Sequence, residues 1–132
     1  MGKYKFITEY EFQASPKLLF EFISTPVGLS QWFCDKANEN ANHHWNLIWD
    51  ETSHPALQTH HKPGKLVRFQ FESADADEQN DPAYLQFEIE KSELTRLAFL
   101  RVTDYSVMNN RQELEELWEN LIANLKTVIR EK

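Results

Sequence analysis

The clearest periodic pattern in the chain lies in residues 110–130, NRQELEELWENLIANLKTVIR. Apolar side chains return there at the i, i+3, i+4, i+7 spacing of an amphipathic helix over about five turns. They are Leu114, Leu117, Trp118, Leu121, Ile122, Leu125, Val128 and Ile129. Asn110 and Glu113 occupy the positions of a capping box, which predicts that the helix begins there. Because an isolated helix of this length is marginal in water, we expect its apolar face to pack on a core.

Before this helix, apolar and polar residues mostly alternate, which is the period of a half-buried strand. The alternation predicts strands over residues 3–14, 45–49, 55–61, 67–72, 85–90 and 95–105. In the last of these, Leu97 and Phe99 lie on one face and Leu100 and Val102 on the other, so the pattern leaves the inward face open.

The segments between the strands are predicted from turn and cap residues. Residues 35–42 are polar and turn-like, and the acidic residues 73–82 predict an exposed hairpin loop. Ser15-Pro16 and Thr25-Pro26 each combine a favoured N-cap with a favoured first helical residue, which predicts two short helices. The second of these helices is expected to end near Trp32-Phe33.

Together these elements predict an α+β fold. Runs of antiparallel strands with one long terminal helix indicate a curved antiparallel sheet around that helix, with two short helices after the first strand. The chain contains no repeat or linker, so residues 1–132 are expected to form a single domain. A concave sheet under a helix is a common place for a ligand pocket.

Several short motifs resemble those of one known superfamily. The motifs are Ala14-Ser15-Pro16, the residues Leu29, Gln31, Trp32 and Phe33, the pairs Trp49-Asp50, Arg68-Phe69 and Thr103-Asp104, and the helical segment from Trp118 to Leu125. In their order they resemble the START-like superfamily, also called SRPBCC or helix-grip. Within it, the chain is most similar to bacterial single-domain relatives of the activator of the heat-shock-protein-90 ATPase. The resemblance implies the helix-grip fold and either a hydrophobic ligand or a chaperone partner.

The composition excludes several functional classes. The chain has 14 basic and 21 acidic side chains, and its net charge of −7 repels nucleic-acid phosphates and anionic membranes. Its three glycines do not form a dinucleotide-binding or phosphate-binding loop. We therefore expect no nucleic-acid partner and no membrane insertion. The first residues contain no signal-like apolar run, so we expect a cytoplasmic protein.

The histidines suggest a metal site only weakly. Four of them form the adjacent pairs His43-His44 and His60-His61, and neighbouring side chains on an extended chain point to opposite faces. The fifth, His54, stands apart, and the single cysteine provides no multi-cysteine zinc site. No metal and no other cofactor are expected.

Two further patterns are weak evidence for calcium binding or catalysis. The carboxylates from Asp75 onward are spaced as in a calcium loop, but Asn80 and Gln86 stand where that loop requires glycine and glutamate. Cys34 lies at the end of a predicted helix, where the helix dipole opposes a thiolate. We therefore expect no catalytic residue and predict that the protein is not an enzyme. A hydrolase or cyclase that acts within the cavity is the weaker alternative.

The resemblance and the aromatic content predict a small hydrophobic ligand, lipid-like or polycyclic, held between the sheet and the C-terminal helix. The ligand-binding candidates are Trp49, Phe69, Phe71, Phe87, Leu114, Leu117 and Leu121. Polar candidates for orienting the ligand are Tyr84, Arg101, Thr103 and Tyr105. The alternative hypothesis is a protein-interaction module resembling the chaperone-activator domain, in which the space is filled.

Overall fold

The fold is an antiparallel sheet that curves around one long helix. In a computed structural model that describes residues 2–95 and 97–130, the sheet has seven strands. The elements in chain order are β1 (Tyr4–Phe12), α1 (Pro16–Ser24), α2 (Pro26–Leu29), β2 (Lys36–Glu39), β3 (His44–Trp49), β4 (Thr52–Lys62), β5 (Leu66–Phe71), α3 (Ala76–Asn80), β6 (Tyr84–Lys91), β7 (Ala98–Ser106) and α4 (Arg111–Arg130). The predicted α+β helix-grip architecture is confirmed.

The strand order explains how the sheet is connected. The strands lie in the order β1-β7-β6-β5-β4-β3-β2, and every neighbouring pair is antiparallel. Strands β2 to β7 follow one another as a meander, which ends beside β1: Tyr4 pairs with Ser106 and Phe12 with Ala98. Helices α1 and α2 therefore carry the chain from one edge of the sheet to the other.

The predicted helix caps are present. The hydroxyl of Ser15 accepts a hydrogen bond from the Leu18 amide at 3.1 Å, and the hydroxyl of Thr25 accepts one from the Gly28 amide at 2.9 Å. The Asn110 side chain accepts one from the Glu113 amide at 3.1 Å, at the start of α4. Each cap satisfies an amide that the helix itself leaves unpaired, which explains where the helices begin.

Three segments differ from the prediction. Helix α2 ends at Leu29 rather than near Trp32-Phe33. The residues after it form a turn, in which the Trp32 indole donates to the Phe22 carbonyl of α1 at 2.8 Å. Residues 36–39, predicted as turn-like, form the edge strand β2, in which only Ala37 is buried. The predicted loop at 73–82 contains the short helix α3, which the side chain of Asp75 caps.

The core lies between the concave face of the sheet and the inner face of α4. In β7 the buried apolar positions are Ala98, Leu100 and Val102, so the face of the strand that carries them is the inward one. Helix α4 buries Leu114, Trp118, Ile122 and Leu125. In the first half of the helix some apolar side chains lie outside the core, and Leu117 is 41% exposed.

Candidate functional site

A tight turn shapes one wall of the site. Strands β3 and β4 are joined through Asp50 and Glu51, both in the left-handed region with φ of 52° and 59°. Trp49 pairs with Thr52 across them, so this is a two-residue hairpin of the type whose twist matches that of the strands. The turn holds Trp49 and Asp50 at the rim of a cleft that faces α4.

The cleft lies between the first half of α4 and the β3–β4 hairpin. Its volume is about 550 Å³, within the range of small-molecule sites. Its aliphatic wall consists of Leu85 on β6, Leu117 and Leu121 on α4, and Met108 before that helix. Since Leu117 and Met108 are 41% and 42% exposed, the mouth of the cleft is apolar and open to water.

Four aromatic rings form a continuous chain along the cleft. Phe33 stacks on Trp118 with ring centres 6.1 Å apart, and its edge meets Trp49 at 5.7 Å. Trp49 in turn meets Phe71 edge-on at 6.1 Å. Contacts of this geometry hold the rings in place, so the aromatic wall is organised before any ligand arrives.

His54 lies against the same wall. Its imidazole stacks on Trp49 with ring centres 3.6 Å apart and planes 11° from parallel. The Nε2 atom of His54 is buried without a hydrogen-bond partner among the described residues. Buried nitrogens are nearly always paired, so this unpaired atom is unusual.

Asp104 is the carboxylate in the interior of the cleft. It shares the inward face of β7 with Leu100 and Val102, and the Trp118 indole donates to its Oδ2 at 3.0 Å. Burial raises the pKa of the Asp104 carboxyl above its ordinary value, although the hydrogen bonds from Trp118 and Ser106 act in the opposite direction. The charged carboxylate is therefore held where water stabilises it poorly.

Asp104→Asn is expected to raise the free energy of unfolding at pH 7. Because the folded-state pKa of Asp104 lies above that of the unfolded chain, the folded state holds the proton more tightly. The loss of stability caused by ionising the buried Asp104 carboxyl is absent below the ordinary aspartate pKa of about 4, and it grows as the pH rises through the folded-state pKa. Urea unfolding should show a gain for the variant at pH 7 and little difference at acidic pH. A loss at both pH values would contradict this account of Asp104.

The structure separates the sequence candidates for ligand binding into two groups. Trp49, Phe71, Leu117 and Leu121 line the cleft. The remaining three, Phe69, Phe87 and Leu114, do not line it, because each is at most 1% exposed and lies within the core beneath it. Whether the four lining residues bind a ligand stays a prediction.

The polar candidates lie on the convex face of the sheet, away from the cleft. The hypothesis that they orient a ligand in the cleft is therefore wrong. Positions 101, 103 and 105 of β7 alternate with the inward ones and so point to the convex face. There Arg101 contacts Glu9 at 3.1 Å, and Tyr105 donates to Asp81 at 2.9 Å and packs on Tyr84. Thr103 is buried on that outer face.

Sequence reasoning missed several residues of the cleft. Phe33, His54, Asp104 and Trp118 all line it. Asp104 had a usable signal, since it follows Leu100 and Val102 at the two-residue period of the strand. Phe33 had none, because its approach to Trp118 depends on how the turn after α2 packs against the sheet.

The structure bears on three other properties of the chain, which are thiol reactivity, metal binding and membrane insertion. Burial raises the pKa of the Cys34 thiol to about 11, so the thiol stays protonated near neutral pH and is a poor nucleophile. Within residues 2–95 and 97–130, no three histidine, cysteine, aspartate or glutamate side chains converge as metal ligands would. Over the same residues, no helix has both the length and the apolar character needed to cross a membrane.

Known structures share this architecture. A crystal structure of a protein from Mesorhizobium loti superposes with a TM-score of 0.77 at 14% identity and covers 98% of each chain. The Aha1 dimer of Colwellia psychrerythraea gives 0.75 at 17% identity over 93% of each chain. A solution structure from Bacteroides fragilis gives 0.64 at 27% identity, over 98% of this chain and 93% of the other.

Sequence comparison agrees with the fold. No curated protein sequence matches this chain at a significant level. A family model described as the START-like superfamily domain matches residues 1–131. Since that match spans nearly the whole sequence and the helix-grip architecture accords with it, the chain belongs to the START-like superfamily.

Proposed function

We propose that the protein binds one small hydrophobic molecule, lipid-like or polycyclic, in the cleft between α4 and the β3–β4 hairpin. The observation that carries the proposal is the cleft of about 550 Å³, walled by four aromatic rings and three leucines. Membership of the START-like superfamily supports the proposal, because its members commonly bind hydrophobic ligands.

The expected affinity follows from the apolar area that a ligand would cover. A ligand that removes about 200 Å² of apolar wall from water gains about 5 kcal/mol before the costs of association. Loss of translational freedom and ordering of the ligand reduce that gain. We therefore expect a Kd in the micromolar range or weaker.

Leu117→Trp is expected to abolish uptake of a neutral apolar dye, N-phenyl-1-naphthylamine, as followed by its fluorescence. Leu117 lines the cleft and is 41% exposed at its mouth, so the larger ring fills the opening without overpacking the core. The melting temperature should change little. Glu116→Trp is the matched control, because Glu116 is exposed on the same helix and does not line the cleft. Equal dye uptake by the wild type and both variants would contradict the proposed site.

The alternative is a protein-interaction module resembling the chaperone-activator domain. It predicts no dye uptake by the wild-type protein, and it predicts that a partner binds at an outer surface. Failure of the dye and of a panel of fatty acids, sterols and polyaromatics to stabilise the protein would favour it, because any ligand of the folded state raises its stability.

We also infer that residues 1–132 act as a single START-like domain, that the protein is cytoplasmic, and that it binds its ligand without transforming it. The match of the family model over residues 1–131 supports the first. Mass spectrometry of the protein purified from its own host would identify a bound molecule and show whether it is altered.

A further inference from the structure

We infer that the cleft selects a cationic amphiphile, with an apolar aromatic body and a protonated amine that lies against Asp104. This inference rests on the proposed function and adds to it the charge of the ligand. It follows from three features of the cleft: the sign of its charged groups, the position of Asp104, and the aromatic rings beside that carboxylate.

The carboxylates of the cleft face no lysine or arginine among the described lining residues. The lining includes the carboxylates of Asp50, Glu72 and Asp104. Its one basic side chain among the described residues is the imidazole of His54, which is stacked on Trp49. Glu72 is half-exposed and lies 3.4 Å from the imidazole of His44. Asp50 is exposed at the rim. Asp104 is therefore the acceptor that an inserted ligand would meet.

Asp104 has capacity for another hydrogen-bond donor. A carboxylate offers about four lone-pair positions. The Trp118 indole occupies one of them on Oδ2 and the Ser106 side chain another, so about two remain for a ligand. A protonated amine beside the carboxylate would replace the water that burial has removed. Such a ligand would turn an unfavourable buried charge into a paired one.

The aromatic wall favours the same chemistry. Trp118 connects the two parts of the site, because its indole donates to Asp104 while its ring stacks on Phe33. Next to Phe33 lies Trp49. The faces of such rings attract cations, and the attraction is stronger where water is excluded. An anionic ligand meets the opposite situation, because its charge would be desolvated beside carboxylates, and none of the described lining residues is a lysine or an arginine. The imidazole of His54 is stacked on Trp49, and its Nε2 atom is buried.

The test compares three ligands that share one naphthalene ring: 2-naphthylmethylamine, 2-naphthylmethanol and 2-naphthoate. They carry a positive charge, no charge and a negative charge at pH 7. We expect the amine to bind about tenfold more tightly than the alcohol, since a nearby opposite charge shifts such equilibria by at least that factor. The carboxylate should bind more weakly than the alcohol. Isothermal titration calorimetry measures all three.

Two variants separate Asp104 from the overall charge of the protein. Asp104→Asn keeps the size of the side chain and an oxygen that accepts from Trp118, and it should remove the tenfold preference for the amine over the alcohol. Glu116→Gln removes the same unit of charge from the exposed face of α4 and should leave the preference unchanged. The preference should also persist in 0.5 M NaCl, because salt screens buried charges less than exposed ones.

The outcomes distinguish this inference from the function on which it rests. Equal binding of the three ligands, tighter binding of 2-naphthoate, or a preference that survives Asp104→Asn would overturn the cationic ligand and leave a hydrophobic binding site standing. Absence of binding by all three ligands and by N-phenyl-1-naphthylamine would overturn both.

Discussion

Leu125→Ala is expected to lower the free energy of unfolding by about 2–5 kcal/mol, which is the range for a leucine removed from a closed core. The Leu125 side chain is 0% exposed and packs within the main core cluster, so its loss leaves a cavity that the surroundings fill only in part. Urea denaturation with an unchanged m-value would measure the loss directly.

The matched variant is Leu121→Ala, one helical turn earlier. Leu121 is only partly buried and lines the cleft, so its removal enlarges a space that is already open to water. We expect a loss of about 1 kcal/mol, close to the average for a single substitution. A loss as large as that of Leu125→Ala would show that the cleft is closed in solution.

Trp118→Ala is expected to lower the free energy of unfolding by about 3–5 kcal/mol. The side chain is 2% exposed, and its ring contacts Phe33 and Phe87 at centre distances of 6.1 and 6.0 Å. Truncation therefore removes a large part of the packing between α4 and the sheet, together with the hydrogen bond to Asp104. Thermal and urea unfolding should agree on the loss.

Trp118→Phe separates the hydrogen bond from the packing. The smaller ring keeps most of the aromatic contact and lacks the donor, which leaves the charged Asp104 carboxylate without that partner and should lower stability by about 1–3 kcal/mol at pH 7. Loss of the donor raises the pKa of Asp104 further, so the defect should shrink in acid, where the carboxyl is neutral in both states. A defect independent of pH would assign the whole effect to packing.

The fold followed from local chemistry wherever one residue type determined the local conformation. Ser15, Thr25 and Asn110 identify the helix starts because a side-chain oxygen pairs a free amide, and that contact needs no distant partner. Strand β2 could not be predicted in this way. Its sequence KANE is polar, and its conformation depends on pairing with β3, which is a tertiary contact.

The candidate site was predictable only in part. Periodicity indicates which face of α4 is apolar, but it does not show which apolar residues of that face lie outside the core. Leu114 and Leu117 therefore look equivalent in the sequence, although only Leu117 lines the cleft. Phe33, Trp49 and Trp118 come together from three distant segments of the chain. The contact between these three rings depends on the curvature of the sheet, so it cannot be predicted from a short segment of sequence.

The pairing of the first strand with the last also sets an order of events during folding. Strand β1 lies at the edge of the sheet, and its one neighbouring strand is β7, which ends at Ser106. During synthesis β1 therefore has no β7 to pair with until residues 98–106 have left the ribosome. Closing so long a loop is entropically unfavourable, and proteins dominated by such distant pairings fold slowly. Until β7 emerges, the edge of β1 that β7 later pairs with is open, and unpaired strand edges of this kind favour aggregation.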